Sequence, residues 1–79
     1  MQPTKSEIEQ AARIIEPLLP AQECAATCEG IWEQAQHAGA GIELEAVKLA
    51  MRRLVREGTA GATRYGSCSV YYRPNPQPL

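Results

Sequence analysis

The sequence lacks the features that mark membrane proteins, disulfide scaffolds and elaborate enzymes. No apolar run approaches the length of an export signal or a membrane span, and Met1 leads directly into polar residues, so we expect a cytoplasmic protein with no membrane partner. The three cysteines are an odd number, which argues against a disulfide framework. With 79 residues, the chain is too short for an enclosed active-site cleft with its own supporting shell. We therefore expect one small domain without enzyme activity.

A cofactor site is also disfavoured, although four soft or borderline ligands are present. Zinc or an iron–sulfur cluster would need such a set, here Cys24, Cys28, Cys68 and His37. Three residues separate the first two cysteines, whereas zinc ribbons place two between them. We therefore expect no metal and interpret the cysteines as free thiols, with Cys68, close to a turn, exposed. His37 has no recognisable nucleophile beside it, so a role as catalytic base is not expected.

The net charge of −1 hides an uneven distribution of charged side chains along the chain. Residues 1–45 carry two basic and eight acidic side chains, a net charge of −6, whereas residues 46–79 carry six basic and one acidic, a net charge of +5. A basic segment can neutralise phosphates and release their counterions, so this asymmetry indicates nucleic-acid contact. The glutamates of the first half can equally be the solvated faces of helices.

The first predicted helix is bounded by clear start and stop signals. Thr4 and Glu7 have the spacing of a capping box, in which two side chains satisfy free amides at a helix start. The helix therefore begins near Lys5. Two prolines follow, and because each lacks an amide proton, we expect the helix to end between Ile15 and Leu19.

A second helix is predicted after a short connection. The connection, residues 21–26, has room for a brief extended segment. Thr27 then caps a helix that runs through Ala38, where a glycine-containing turn breaks it. Its inward face is predicted to be formed by Ile31, Trp32 and Ala35.

A third helix and a hairpin complete the pattern. Apolar residues recur at helical spacing along one stripe, which comprises Leu44, Val47, Met51, Leu54 and Val55. Gly58 can adopt the left-handed conformation that ends a helix. Two strands, residues 62–65 and 69–73, are then predicted on either side of a tight turn at Gly66-Ser67. The period of the pattern thus changes from helix to strand at Gly58.

This order of three helices and a hairpin resembles the winged helix-turn-helix superfamily of small DNA-binding regulators. The most specific part is the run from Val47 to Gly58, joined to a hairpin that ends in Val70-Tyr71-Tyr72-Arg73. The resemblance implies an α+β fold over residues 1–73, with three helices and a C-terminal antiparallel wing of two or three strands. Alternating prolines over residues 74–79 favour a loose, extended tail.

The resemblance also implies a function in transcription regulation and a surface that carries it. The third helix would enter the major groove of double-stranded DNA, and the wing would contact the backbone or a minor groove. The implied DNA-binding residues are Lys48, Arg52, Arg53 and Arg56 on the helix, and Arg64, Tyr65, Ser67 and Arg73 on the wing. A single module of this size buries little DNA, so we expect a homodimer or a partner protein to supply specificity.

Two glutamates at the start of the third helix leave a second function open. Glu43 and Glu45 occupy the turn that usually lies nearest the bases, where carboxylates repel phosphates. If they face the partner, a protein complex is the expected partner. Small accessory proteins of sulfite reduction and inhibitors from mobile elements are similar in this way, since they keep a winged helix without reading DNA. Fold analogy favours DNA binding, and the overall acidity and the absence of a basic terminal arm favour the alternative.

Overall fold

The computed structural model describes residues 2–74, so the predicted tail lies outside the described residues except for Pro74. Three helices are followed by a hairpin: α1 (Lys5–Ile15), α2 (Cys28–His37), α3 (Leu44–Arg56), β1 (Gly61–Tyr65) and β2 (Cys68–Tyr72). Two single 3-10 turns, Glu16–Leu18 and Gln22–Cys24, lie between α1 and α2. This α+β layout is consistent with a winged helix and confirms the predicted fold class. No helix within the described range is long and apolar enough to cross a membrane.

The start of α1 is held by the predicted capping box. The hydroxyl of Thr4 accepts a hydrogen bond from the Glu7 amide at 3.1 Å, and the Glu7 carboxylate accepts one from the Thr4 amide at 3.1 Å. The hydrogen bonds from Thr4 lower the pKa of Glu7, because they stabilise its charged form. The helix ends at Ile15, before Pro17, as the stop signals indicate.

Local capping signals also set the ends of α2 and α3. Thr27 accepts a hydrogen bond from the Gly30 amide at 3.1 Å, so the predicted cap of α2 is confirmed. Gly58 follows α3 with a φ of 80°, the left-handed conformation that glycine adopts without strain. The next two amides, of Thr59 and Ala60, then donate to the Leu54 carbonyl at 2.9 and 3.1 Å. This turn directs the chain from α3 into the wing.

The wing is a two-stranded hairpin joined to the chain before α2 by a single bridge. The pairing runs from Gly61 opposite Tyr72 to Tyr65 opposite Cys68. Ala26 and Tyr71 exchange two backbone hydrogen bonds, at 3.0 and 2.7 Å, so the predicted extended segment is one residue long. The wing is therefore fixed against the helices at its C-terminal strand.

The core lies between the three helices and is rich in alanine. Apolar side chains from every helix are buried: Ala11, Ala12, Ile15, Ile31, Ala35, Ala46, Val47, Ala50, Met51 and Leu54. The small alanines allow α1 and α3, which make the most extensive helix contact, to approach closely. Leu44 and Val55, at the edges of the predicted stripe of α3, are only half-buried. Trp32 packs against this core and donates from its indole nitrogen to the Ile42 carbonyl at 2.7 Å.

Candidate nucleic-acid interface

One side of α3 is exposed and carries most of the charge of the helix. At 3.6 residues per turn, Glu45, Arg52 and Arg56 lie within about 40° of one another around the helix axis, and Lys48 lies at the edge of this group. All four side chains are exposed. We call these four residues, together with Leu49 on the same side, the outer face of α3. Within residues 2–74, no carboxylate forms an ion pair with Arg52 or Arg56.

The wing lies beside the outer face of α3, and the two are separated by a cleft. Lys48 and Arg52 line one side of the cleft and Cys68, Ser69 and Tyr71 line the other, around a volume of about 290 Å³. The start of α2 closes the cleft with Thr27, Cys28 and Glu29. Basic side chains of α3 and polar groups of the wing therefore share one continuous surface.

Arg64 belongs to this surface because of the hairpin register. It pairs with Ser69, and directly opposed residues in an antiparallel pair project from the same face of the sheet. Ser69 and Tyr71, which project from this face, both line the cleft, so Arg64 shares the face of the wing that borders the cleft, although it does not line the cleft itself. Tyr65, one residue further, projects from the opposite face and is 79% exposed. Ser67 is exposed in the turn that joins the strands.

Two of the predicted contact residues lie elsewhere. Arg53 is half-buried and forms ion pairs with Glu9 of α1 at 3.6 Å and with Glu57 at 3.4 Å. It lies about 100° from Arg52 around the helix axis, and its side chain turns toward Glu9 of α1. Arg73 donates from its guanidinium to the Glu16 carbonyl at 3.0 Å. It therefore connects the end of the wing to the end of α1, and neither arginine joins the candidate interface.

The direction of Glu45, which periodicity alone left open, is outward. Its side chain is 65% exposed and lies on the same side of α3 as Arg52. Lys48 lies one turn further along and pairs with it at 3.8 Å. Glu43 precedes α3 at the capping position, but its side chain accepts no capping hydrogen bond. The outer face therefore combines one carboxylate with three cations.

Sequence reasoning missed two features of this surface. The first is Leu49, which lies on the outer face and is only partly buried. Its position in the sequence already indicated this, because Leu49 falls outside the apolar stripe of α3. The second feature is the contact of Cys28 with Tyr71 across the cleft. Burial raises the pKa of the Cys28 thiol, while a hydrogen bond with Tyr71 and the charge of Lys48 oppose the rise. Burial, together with the contact with Cys28, likewise raises the pKa of Tyr71.

The cysteines do not form a metal centre among the residues that the structure describes. No group of three or more histidine, cysteine or acidic side chains in residues 2–74 is arranged to hold a metal ion. Cys24 and Cys68 are exposed, Cys28 is half-buried, and all three are free thiols.

Comparison of the chain with family models, with curated proteins and with solved structures gave no match. A functional assignment therefore depends on the geometry of the interface itself.

Proposed function

We propose that this protein binds double-stranded DNA as a small winged-helix regulator, through the outer face of α3 and the adjoining wing. The observation that supports this best is the joint surface around the cleft, where Lys48 and Arg52 of α3 meet the wing that carries Arg64. A helix and an adjoining hairpin that contact a duplex together are expected to present such a joint surface. The free thiols fit the reducing cytoplasm, where such a regulator would act.

In this proposal α3 enters the major groove and the wing follows the adjacent backbone. Lys48 and Arg64, on the two sides of the cleft, neutralise phosphates, and Tyr65 and Ser67 donate hydroxyl hydrogen bonds to phosphate or sugar oxygens. Each neutralised phosphate releases counterions, which makes the affinity depend on salt. Glu9 of α1, which pairs with Arg53, lies on the side of α3 away from the cleft, whereas Glu29 of α2 lines it. Repulsion between Glu9 and the duplex is therefore weak.

A single domain of this size covers a short stretch of duplex. A module of about 600–1,000 Å² of contact gives limited specificity, so we propose that the protein acts as a homodimer or beside a partner protein. Two copies related by two-fold symmetry would bind half-sites about one helical turn apart. Sedimentation with and without DNA measures this stoichiometry directly.

Fluorescence anisotropy with a labelled random duplex tests the proposal. We expect binding that weakens steeply between about 50 and 200 mM salt, because phosphate contacts dominate non-specific affinity. A single-stranded oligonucleotide of the same length serves as the control for general attraction to polyanions. No binding to the duplex at the lowest salt concentration would refute DNA binding.

One observation favours a second function, binding to a protein. Glu45 and Leu49 lie beside Arg52 on the outer face, and a mixture of acidic, apolar and basic groups is typical of a protein interface as well as of a base-reading helix. On this reading, a specific protein would copurify with the tagged chain from its native cells. The complex should be lost in Leu49→Glu and kept in Glu57→Gln, whose altered side chain pairs with Arg53 outside the outer face.

A further inference from the structure

The outer face of α3 presents three chemically different side chains in a row. Glu45 is an acceptor, Leu49 is apolar and Arg52 is a cationic donor, at positions i, i+4 and i+7 of one helix. This spacing places side chains on the same side of a helix, one above the other. The Glu45 side chain is 65% exposed, Arg52 is exposed, and Leu49 is partly so, although leucine is usually buried. Electrostatic attraction to phosphate accounts for Arg52 but not for the other two.

We propose that these three residues read base edges in the major groove, with cytosine opposite Glu45, thymine opposite Leu49 and guanine opposite Arg52. The inference rests on the proposed DNA-binding function. A carboxylate accepts a hydrogen bond from the cytosine amino group, and arginine donates two to the O6 and N7 of guanine. The thymine methyl group is the apolar feature of the groove, and an aliphatic side chain contacts it.

The spacing of the three residues matches the spacing of stacked bases. A helix rises about 1.5 Å per residue, so Leu49 lies about 6 Å and Arg52 about 10.5 Å along the axis from Glu45. Base pairs follow one another about 3.4 Å apart on each strand. The row therefore spans about three base steps. The preferred site should hold a cytosine and a guanine about three base pairs apart, with a thymine between them.

The ion pair of Glu45 explains how a carboxylate is tolerated near the phosphates. Lys48 lies 3.8 Å from it and offsets part of its charge. Arg56 continues the outer face at the other end of α3 and remains available to phosphate. Glu45 then contributes selectivity, because it repels sequences that place a carbonyl or ring acceptor at its position. The other cations supply affinity.

Selection from a random duplex library, followed by sequencing, tests the inference. We expect wild-type protein to enrich cytosine at one position and Glu45→Gln to enrich adenine at that same position, since glutamine pairs with adenine. On defined duplexes, the affinity for the cytosine site relative to the adenine site should differ about 5- to 150-fold between the wild type and Glu45→Gln. Glu57→Gln removes the same charge at the residue that follows α3, where Glu57 pairs with Arg53 outside the outer face, and should keep the wild-type preference.

A second measurement isolates Leu49 without disturbing the fold. Replacing the enriched thymine with uracil removes only its methyl group, which should weaken wild-type binding about fourfold and leave Leu49→Ala unaffected. Salt-dependent binding with the same base preference in wild type and Glu45→Gln would overturn the base-reading role while leaving the proposed function intact. Absence of any duplex binding would overturn both.

Discussion

Replacing Arg52 and Arg56 together with alanine removes two exposed cations from the outer face of α3. Neither forms an ion pair within residues 2–74, so the double variant should fold normally. On a random duplex, which mostly lacks the preferred guanine, both arginines are expected to contact phosphate. Each lost phosphate contact lowers the slope of log affinity against log salt by about 0.9, so the double variant should lose about 1.8. Between about 50 and 200 mM salt, its affinity should fall about tenfold less than that of the wild type.

Arg53→Ala is the matched control, because it removes the same side chain from the same helix on the side that faces α1. Its two partners, Glu9 and Glu57, are partly exposed, so its loss should reduce the free energy of unfolding by about 0.2–1 kcal/mol for each ion pair. The salt slope should remain that of the wild type. Anisotropy titrations and urea denaturation, run on the same preparations, separate the two effects.

The result that would refute this reasoning is a slope loss in Arg53→Ala equal to that of the double variant. Such a result would mean that the pairing of Arg53 with α1 does not hold in the DNA complex. An unchanged slope in the double variant would place the contact surface away from the outer face of α3.

Other substitutions test the packing and the thiols. Leu54→Ala, in the core, should lower the free energy of unfolding by about 2–5 kcal/mol, measured by urea denaturation. Gly61→Ala should lower the free energy of unfolding by about 1–3 kcal/mol, because the added methyl would overlap the ring of Tyr72. Gly30→Ala should raise the free energy of unfolding by about 0.5–1 kcal/mol, because alanine favours the helix and the added methyl meets only ordinary contacts. At pH 8, Cys28 should react with iodoacetamide more slowly than the two exposed cysteines, since burial raises its pKa; equal rates by mass spectrometry would contradict this.

The elements of the fold could be predicted from short stretches of sequence because their determinants are local. Thr4 and Thr27 each lie three residues from the amide they cap, and Gly58 adopts its own backbone conformation without help from distant residues. The change of apolar period after α3 indicated a helix followed by a hairpin. One-residue differences at the strand ends, such as Gly61 in β1, reflect pairing that local patterns do not determine.

The composition of the interface depended on contacts between residues far apart in the chain. Arg52 and Arg53 are neighbours in sequence and identical in chemistry, yet only Arg53 meets the carboxylate of Glu9 on α1. Arg73 lies beyond the hairpin and is held by the Glu16 carbonyl, 57 residues away. Local patterns therefore determined which helices and strands form and roughly which faces are apolar. The packing of α1 and the wing around α3 decided which cations remain exposed together, because a side chain's partners are set by the elements that approach it in space.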